Sequence, residues 1–279
     1  MNEKIELGVM NNLIIKRDTD HGFFLEAQDE SEVLLPNAFI TDDMQIDDII
    51  EVFIYTDSED RLIATTQKPV ALKDQFAFVK VVDTVRFGAF VDIGLQKDLL
   101  VPRNKQKTPF EVGEHRIIRI VEDEQTKRLI GIEKITSFLS KDTEHFKQND
   151  EVSVLVIAKT PLGFKVIVDN NYEGMLYANE VFSKLYVGTT AKAYIKTLRE
   201  DGKLDISLQP IGARKLDMAC SAVFNILKKN NGTLPYNYKS DSEAINKIFG
   251  LSKKNFKKAL TLLQDDDKIK VTDDGIKLI

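Results

Sequence analysis

Two phenylalanines flank a glycine in the segment FGAFVDIG, residues 87–94. Side chains alternate between the two faces of a β-strand, so Ala89 and Val91 fall on one face while Phe90 falls on the other. The apolar face accounts for a core, which leaves Phe90, and Phe87 beside the flexible glycine, as exposed rings. Nucleobases stack on exposed rings, and each stack contributes about 1–3 kcal/mol. The segment therefore predicts a surface that stacks nucleobases.

The same pattern occurs three times along the chain. Each copy has a glycine, an alternating strand, a polar turn and a second strand, in residues 22–36, 88–102 and 163–177. An opening strand precedes each copy, and two further strands follow it. Three five-stranded units fit three small closed barrels, because closure removes the unpaired edges of an antiparallel sheet.

The glycines and their neighbours suggest different roles. A glycine inside a strand usually marks a bulge or a tight bend, so an architectural role is expected for it. The functional residues are then those beside the glycine and at the matching place on the next strand: His21, Phe24 and Pro36; Phe87, Phe90 and Pro102; and Leu162, Lys165 and Tyr177.

The last part of the chain changes to helical periodicity. Residues 214–230 and 242–250 form helical patterns that end near glycines, and a third pattern begins at Ser252, a typical N-cap residue. Two short strands follow, in residues 268–272 and 275–279. Three helices and a hairpin predict a winged helix.

The third helix carries lysines on the side opposite Phe256 and Leu260: Lys253, Lys254, Lys257 and Lys258. A lysine face is more often plain solvated surface, but the third helix of a helix-turn-helix unit is the one that usually meets nucleic acid. Lysines act as point charges, so phosphate contact without base recognition is expected.

Charge is distributed unevenly along the chain. Residues 1–70 contain 5 Lys and Arg against 16 Asp and Glu, whereas residues 211–279 contain 13 against 8. The acidic residues 1–70, here called the acidic head, repel a polyanion, so a polyanion is expected to lie toward the C-terminal parts of the chain. The alternative is that charge simply varies between domains.

Composition limits the possible classes of protein. The chain is 43% hydrophobic and 30% charged, as ordinary globular proteins are. It has no apolar run of about 18 residues and no signal-peptide pattern, which predicts a cytoplasmic protein without membrane attachment. The single cysteine, Cys220, excludes an internal disulfide framework and is more consistent with a small core residue than with a nucleophile.

Catalytic motifs are missing from the sequence. It contains neither a phosphate-binding G-x-x-x-x-G-K-[ST] motif nor a Cys/His metal-ligand spacing. Acidic runs such as residues 122–124 and 265–267 fit solvated surface better than a two-metal site. No enzymatic activity, cofactor or metal is therefore expected.

The second copy resembles a known RNA-binding family. A valine-rich strand, FGAFVDIG, LLVP, VGEHRIIRIVEDE and RLIGIEK are similar to the oligonucleotide-binding barrel of ribosomal small-subunit protein one, here called the S-one-type domain. The family has an aromatic residue on each side of the glycine, which maps onto Phe87 and Phe90. It also has a histidine on the third strand, where this chain has Pro36, Pro102 and Tyr177.

The whole domain order resembles the conserved virulence factor B family of bacterial RNA-binding regulators. The resemblance covers nearly all 279 residues. It implies a cytoplasmic protein that binds single-stranded RNA and influences gene expression after transcription. The ribosome and the transcription machinery are candidate partners besides RNA.

The expected fold class is mainly β: three tandem five-stranded barrels in residues 1–70, 71–140 and 141–210, then a winged helix in 211–279. The expected RNA-binding residues are base-stacking rings and phosphate-holding cations: Phe87, Phe90, Tyr177, Lys80, Arg86, Arg103, Lys105, Lys165, Lys253, Lys254, Lys257 and Lys258. Lys107 belongs to the same basic loop as Arg103 and Lys105. His21 and Phe24 rank lower because they lie in the acidic head.

Two other functions stay open at this point. In the first, the winged helix binds duplex DNA as a transcriptional regulator and the barrels are protein-binding spacers. In the second, the chain is an adaptor whose acidic first barrel docks on a basic protein partner.

Overall fold

The structure is a computed structural model that describes residues 1–178, 181, 184–211 and 213–279, with only the backbone of residues 213–215. Three β-barrels follow one another along the chain, and a small α/β unit follows the third. The fold class predicted from the sequence is confirmed.

The first barrel is closed, with strand order β1-β2-β3-β5-β4. Its strands are β1 (Met10–Thr19), β2 (Gly22–Glu26), β3 (Glu32–Pro36), β4 (Ile49–Thr56) and β5 (Leu62–Thr65). Alternate residues such as Leu13, Leu25 and Leu35 point inward and are fully buried. The period-two pattern of the sequence therefore builds the core.

The second barrel has the same strand sequence in an open five-stranded sheet, ordered β10-β9-β6-β7-β8. Its strands are β6 (Phe76–Val85), β7 (Gly88–Asp92), β8 (Leu99–Pro102), β9 (His115–Glu122) and β10 (Leu129–Ile132). Ala89 and Val91 are buried in its core, as the alternation of residues 87–94 predicts.

The third barrel is closed in the order β11-β12-β13-β15-β14. Its strands are β11 (Glu151–Thr160), β12 (Gly163–Val168), β13 (Tyr172–Tyr177), β14 (Thr190–Leu198) and β15 (Leu204–Ser207).

The repeat alignment corresponds to strand register. The three repeat glycines pair with the residues predicted opposite them, as Gly22 with Pro36, Gly88 with Pro102 and Gly163 with Tyr177. A Cβ at any of them would collide with a carbonyl oxygen of the next strand, and two also have positive φ, +136° at Gly22 and +146° at Gly163. The role is architectural, as expected, but the bulges lie in the preceding strands β1, β6 and β11. Close backbone approach, rather than a bulge at the glycine, is the reason for glycine here.

The first barrel docks against the second through its β4–β5 end. Lys97 of the second barrel donates from Nζ to the carbonyl oxygens of Thr56 (2.8 Å) and Asp57 (2.7 Å). Arg128 forms an ion pair with Asp60. Cations of the second barrel are thus bound by the acidic β4–β5 loop of the first.

The second and third barrels share a small hydrophobic core. Phe76, Ile135 and Ile167 are buried together between them. The Asn170 side chain joins the barrels as well, because its Oδ1 accepts from the Phe76 backbone N–H at 2.9 Å and its Nδ2 donates to the Asp74 carbonyl at 2.9 Å. This junction fixes the two barrels against each other.

The C-terminal unit has the predicted helix and hairpin order. Its elements are α1 (Ala213–Lys229), β16 (Thr233–Leu234), α2 (Ser242–Phe249), α3 (Lys253–Asp265), β17 (Ile269–Thr272) and β18 (Gly275–Leu278). Asp241 caps α2, Gly250 ends it with φ 66°, and Ser252 caps α3 as predicted. The two-residue strand β16, which pairs with β18, is an addition to the predicted pattern.

Candidate nucleic-acid interface

The two phenylalanines of the second barrel lie together on its outer surface. Phe87 is 61% exposed, and its ring meets the half-buried Phe90 ring edge-on, with centroids 6.4 Å apart and an interplanar angle of 87°. Phe90 pairs across the sheet with Leu100 of β8, which is also half-buried. An open ring face beside an apolar strand can stack a nucleobase.

Charge changes sign along β7. At its start, Arg86 and Arg103 are exposed, and the Arg103 backbone N–H donates to the Phe87 carbonyl at 2.9 Å, which holds this arginine beside the ring. At its end, burial and the charges of Asp92 and Asp83 raise the pKa of the Asp98 carboxyl. Phosphates are therefore favoured at the Arg86 end and disfavoured at the Asp98 end.

A cavity of about 400 Å³ lies beside these rings, lined by both phenylalanines, by the β9–β10 loop and by Tyr55 and Thr56 of the first barrel. This volume is within the range of small-ligand sites. Its cations, however, are already engaged: Lys97 binds the two carbonyls of the first barrel, and Arg128 pairs with Asp60. Burial lowers the pKa of the Lys97 ammonium.

Lys80 and Lys105 lie apart from the ring pair. Lys80 is exposed on β6, opposite Asp92 on one side and His115 on the other. Lys105 is half-buried in the short 3₁₀ helix that follows β8, and its backbone carbonyl accepts from the Glu133 and Lys134 N–H groups.

The third barrel brings Tyr177 and Lys165 to the corresponding surface. The Tyr177 hydroxyl donates to Asp205 at 3.2 Å, and Lys196 Nζ lies 5.8 Å from the ring centroid. A cavity of about 400 Å³ is lined by both predicted residues and by Leu162, which is 69% exposed. Arg199 and Lys203 of the β14–β15 loop also line it. The sequence prediction missed these two cations because they come from a loop distant from the glycine motif.

The first barrel presents its ring differently. The Arg17 guanidinium lies 3.7 Å from the centroid of Phe24, and Glu32 fixes that guanidinium through an ion pair of 2.7 Å. His21 is exposed beside it. The face of Phe24 is thus covered by a cation of its own barrel.

The lysines of α3 lie on the solvent side of the winged helix, while Phe256 and Leu260 are buried on the other side. The first turn of α3 contains Lys253 and Lys254 and no acidic residue. Positive charge there opposes the helix dipole, so this end of the helix is locally unfavourable until an anion is near.

The predicted cations share one property. Among the described residues, no carboxylate lies within 4.0 Å of any of them: Lys80, Arg86, Arg103, Lys105, Lys165, Lys253, Lys254, Lys257 and Lys258. The cations of the acidic head differ, since Arg17 pairs with Glu32 and Arg61 with Asp57. The charges of Lys105 and Lys253 still act on Asp123 and Asp241, because each helps to lower the pKa of that carboxyl. The predicted cations can nevertheless contact an external anion without first breaking a close ion pair.

The structure brings the predicted residues into three separate places: the Phe87 face, the Tyr177 face and helix α3. Within the described part of the chain, no cluster of three His, Cys, Asp or Glu residues could hold a metal ion. No helix among the described residues is both long and apolar enough to cross a membrane.

Two family models match the chain. The S1 domain model matches residues 7–67, which form the first barrel, whereas the FGAFVDIG motif lies in the second. The model of a CvfB-like winged helix domain matches residues 221–278.

Whole-chain relatives are also found. The Bacillus subtilis protein YitL, described as uncharacterized, is 30% identical over 270 residues, which are 94% of this chain and 90% of YitL. Conserved virulence factor B of Staphylococcus epidermidis is 27% identical over 227 residues, 78% of this chain and 76% of that protein. A solved multidomain protein with nucleic acid binding domains, from Streptococcus pneumoniae, aligns over 98% of both chains with 26% identity and a TM-score of 0.41.

Proposed function

This chain belongs to the conserved virulence factor B family, and from that premise we propose that it is a non-catalytic protein that holds single-stranded RNA along its second and third barrels and its winged helix. In this role it acts in the cytoplasm as a post-transcriptional regulator of gene expression. The working units are residues 1–70, 71–140, 141–210 and 211–279.

One observation carries the proposal. The Phe87 ring is 61% exposed on a barrel face, edge-on to Phe90, and two arginines without carboxylate partners among the described residues stand at that end of β7. An exposed ring face can stack on a flat partner, and nearby cations without ion pairs favour a partner whose backbone is anionic. Single-stranded RNA has both properties, because its bases are unpaired and its phosphates are continuous.

Residues 211–279 are positive as a whole, but the turn between the last two strands disfavours duplex DNA as the main ligand. The turn between β17 and β18 contains Asp273 and Asp274, and both are exposed. This turn is the wing. Asp273 pairs there with Lys239 at 3.0 Å, whereas Asp274 has no cation within 4.0 Å among the described residues, and its carboxylate would be repelled by phosphates beside a groove. The lysines of α3 can still hold the phosphates of a single strand.

Binding preference tests the proposal. Fluorescence anisotropy of the full chain with labelled single-stranded RNA, single-stranded DNA of the same sequence and duplex DNA is expected to show the tightest binding to single strands, with RNA preferred. Tightest binding to duplex DNA would support the transcriptional alternative. Binding to none of the three would support the adaptor alternative, in which the acidic barrel docks on a basic protein.

The non-catalytic part has its own test. The same RNA, incubated with the protein and Mg²⁺ and resolved on a denaturing gel, is expected to stay intact. Cleavage by pure protein would contradict this part of the proposal and leave the binding part standing.

A further inference from the structure

A cleft separates the second and third barrels on the side of β9, with a volume of about 370 Å³. Its walls come from both barrels, with Lys107 and His115 on the second, and Lys165 and Glu173 on the third. The sequence pattern places these residues in unrelated segments, so only the docking of the barrels brings them together.

The cleft continues onto the outer face of the third barrel. Lys165 and Glu173 line both the cleft and the cavity of about 400 Å³ that contains Tyr177. Because they share two wall residues, the two cavities lie next to each other, and together they are here called the groove, which runs from between the barrels to Arg199 and Lys203.

The carboxylates of the groove are already paired. Glu133 accepts from Arg116 at 3.3 Å and from the Lys107 backbone N–H at 2.6 Å, while Glu173 pairs with Lys203 at 3.1 Å. Arg116 is held by Glu114 as well, at 2.6 Å.

The side-chain ammonium groups of Lys107 and Lys165 differ from these cations. Among the described residues neither has a carboxylate within 4.0 Å, and both side chains are exposed. The groove therefore has unpaired positive charge. The cavity beside Phe87 differs, because Lys97 and Arg128 there are bound by the first barrel.

His115 adds a flat surface at the mouth of the cleft. Its exposed ring lies 5.1 Å from the Phe78 ring at an interplanar angle of 26°, and Phe78 packs against Gly188 of the third barrel. A ring held in this way keeps a fixed orientation, and histidine is among the side chains on which RNA bases stack.

We infer that this groove binds single-stranded RNA as the strand leaves the Tyr177 face, with phosphates at Lys165 and Lys107 and a base against His115. The inference rests on the proposed function and adds an inter-barrel site to it. It requires the second and third barrels to act as one binding surface, which their shared core of Phe76, Ile135 and Ile167 supports.

Comparing RNAs of two lengths distinguishes binding in the cleft from binding on the Tyr177 face. Anisotropy is measured for the full chain with labelled oligouridylates of about 4 and about 12 nucleotides, since single barrels of this class cover about 4–16. The test variant is Lys107→Ala/His115→Ala, whose two positions are exposed. The matched control is Lys68→Ala/His145→Ala, which removes the same residue types at exposed positions outside both cavities.

The test variant is expected to bind the long oligomer about three- to tenfold more weakly, with a salt slope smaller by about 0.7 because one phosphate is no longer neutralised. Its affinity for the short oligomer is expected to match that of the control. A Lys107→Glu variant is expected to bind the long oligomer still more weakly, because it places a carboxylate in the groove.

Other outcomes overturn the inference. If the test variant binds the long oligomer as tightly as the control does, the cleft does not hold RNA. If the affinities for the long and the short oligomer fall equally, the cleft does not extend the binding site of the Tyr177 face. In both cases wild-type binding leaves the proposed function standing. If the wild-type chain binds neither oligomer, the proposed function itself fails, and the inference with it.

Discussion

Replacing Phe87 by alanine removes the most exposed phenylalanine ring of the second barrel while leaving its fold intact. The ring is 61% exposed and contacts Phe90 only edge-on. The hydrogen bond that fixes this turn uses the Phe87 backbone carbonyl and the Arg103 N–H, which alanine retains. The melting temperature of Phe87→Ala is therefore expected to stay close to that of the wild type.

The effect on RNA binding is expected to be much larger. Removing one base stack costs about 1–3 kcal/mol, which corresponds to a Kd increased about 5- to 150-fold at 25 °C. The measurement is anisotropy of labelled single-stranded RNA at constant salt. Because the substitution changes no charge, the slope of log K against log salt should stay the same.

Two variants sharpen this test. Phe24→Ala is a control, because Phe24 is the ring of the corresponding site in the first barrel, at the repeat position of Phe90, but lies under Arg17, and RNA affinity is expected to be unchanged. Phe87→Trp should retain binding and, since the chain has no tryptophan, provide a single fluorophore that RNA quenches. If Phe87→Ala binds RNA as tightly as the wild type, or if Phe24→Ala weakens binding as much, the stacking role of Phe87 is refuted.

Two further predictions concern α3 and the third barrel. Replacing all four lysines of α3 by alanine should weaken binding to RNA of any sequence. It should also lower the slope of log K against log salt by about 0.7 for each phosphate that is no longer neutralised. An unchanged slope would exclude α3 from the interface. Gly163→Ala should lower the free energy of unfolding, measured by urea titration, by about 1–3 kcal/mol or more, because φ is +146° and the new Cβ would meet the Leu176 carbonyl. Gly113→Ala is its control, with φ +90° but no atom within 4 Å of the new Cβ; equal losses of stability would show that the close approach is unimportant.

The barrels could be predicted from sequence because local rules determine them. Alternation placed Ala89 and Val91 in the core and Phe90 outside, and both core residues are buried. The repeat alignment predicts that Gly163 lies opposite Tyr177, and the two residues are paired between β12 and β13. Both results follow from the period-two geometry of a strand.

The junctions between barrels could not be predicted in this way. Phe76 and Asn170, which join the second and third barrels, are 94 residues apart and belong to no repeated pattern. The cleft that contains Lys107, His115 and Lys165 exists only because of that junction. Strand β16 is a different case, since two residues are too few to show periodicity.

The sequence predicts which residue types form the candidate site, but it does not show whether each side chain is free to contact a ligand. Phe24 and Phe90 occupy equivalent repeat positions, but only the structure shows Arg17 over the first ring. Lys97 similarly appears in the sequence as a loop cation, whereas its Nζ is bound by two carbonyls of the first barrel. Whether a ring or a cation is already in contact with another part of the protein depends on residues that are distant in sequence. The predicted RNA-binding residues themselves stay predictions.

The path of RNA over the barrels and the winged helix can be mapped by crosslinking. Single-stranded RNA containing 4-thiouridine would be photo-crosslinked to the full chain, and the crosslinked peptides identified by mass spectrometry. If the second and third barrels and α3 hold the strand, crosslinks will fall in residues 87–102 and 163–177 and on α3, with few in residues 22–36. Crosslinks confined to the first barrel, or to the winged helix alone, would contradict the proposed path.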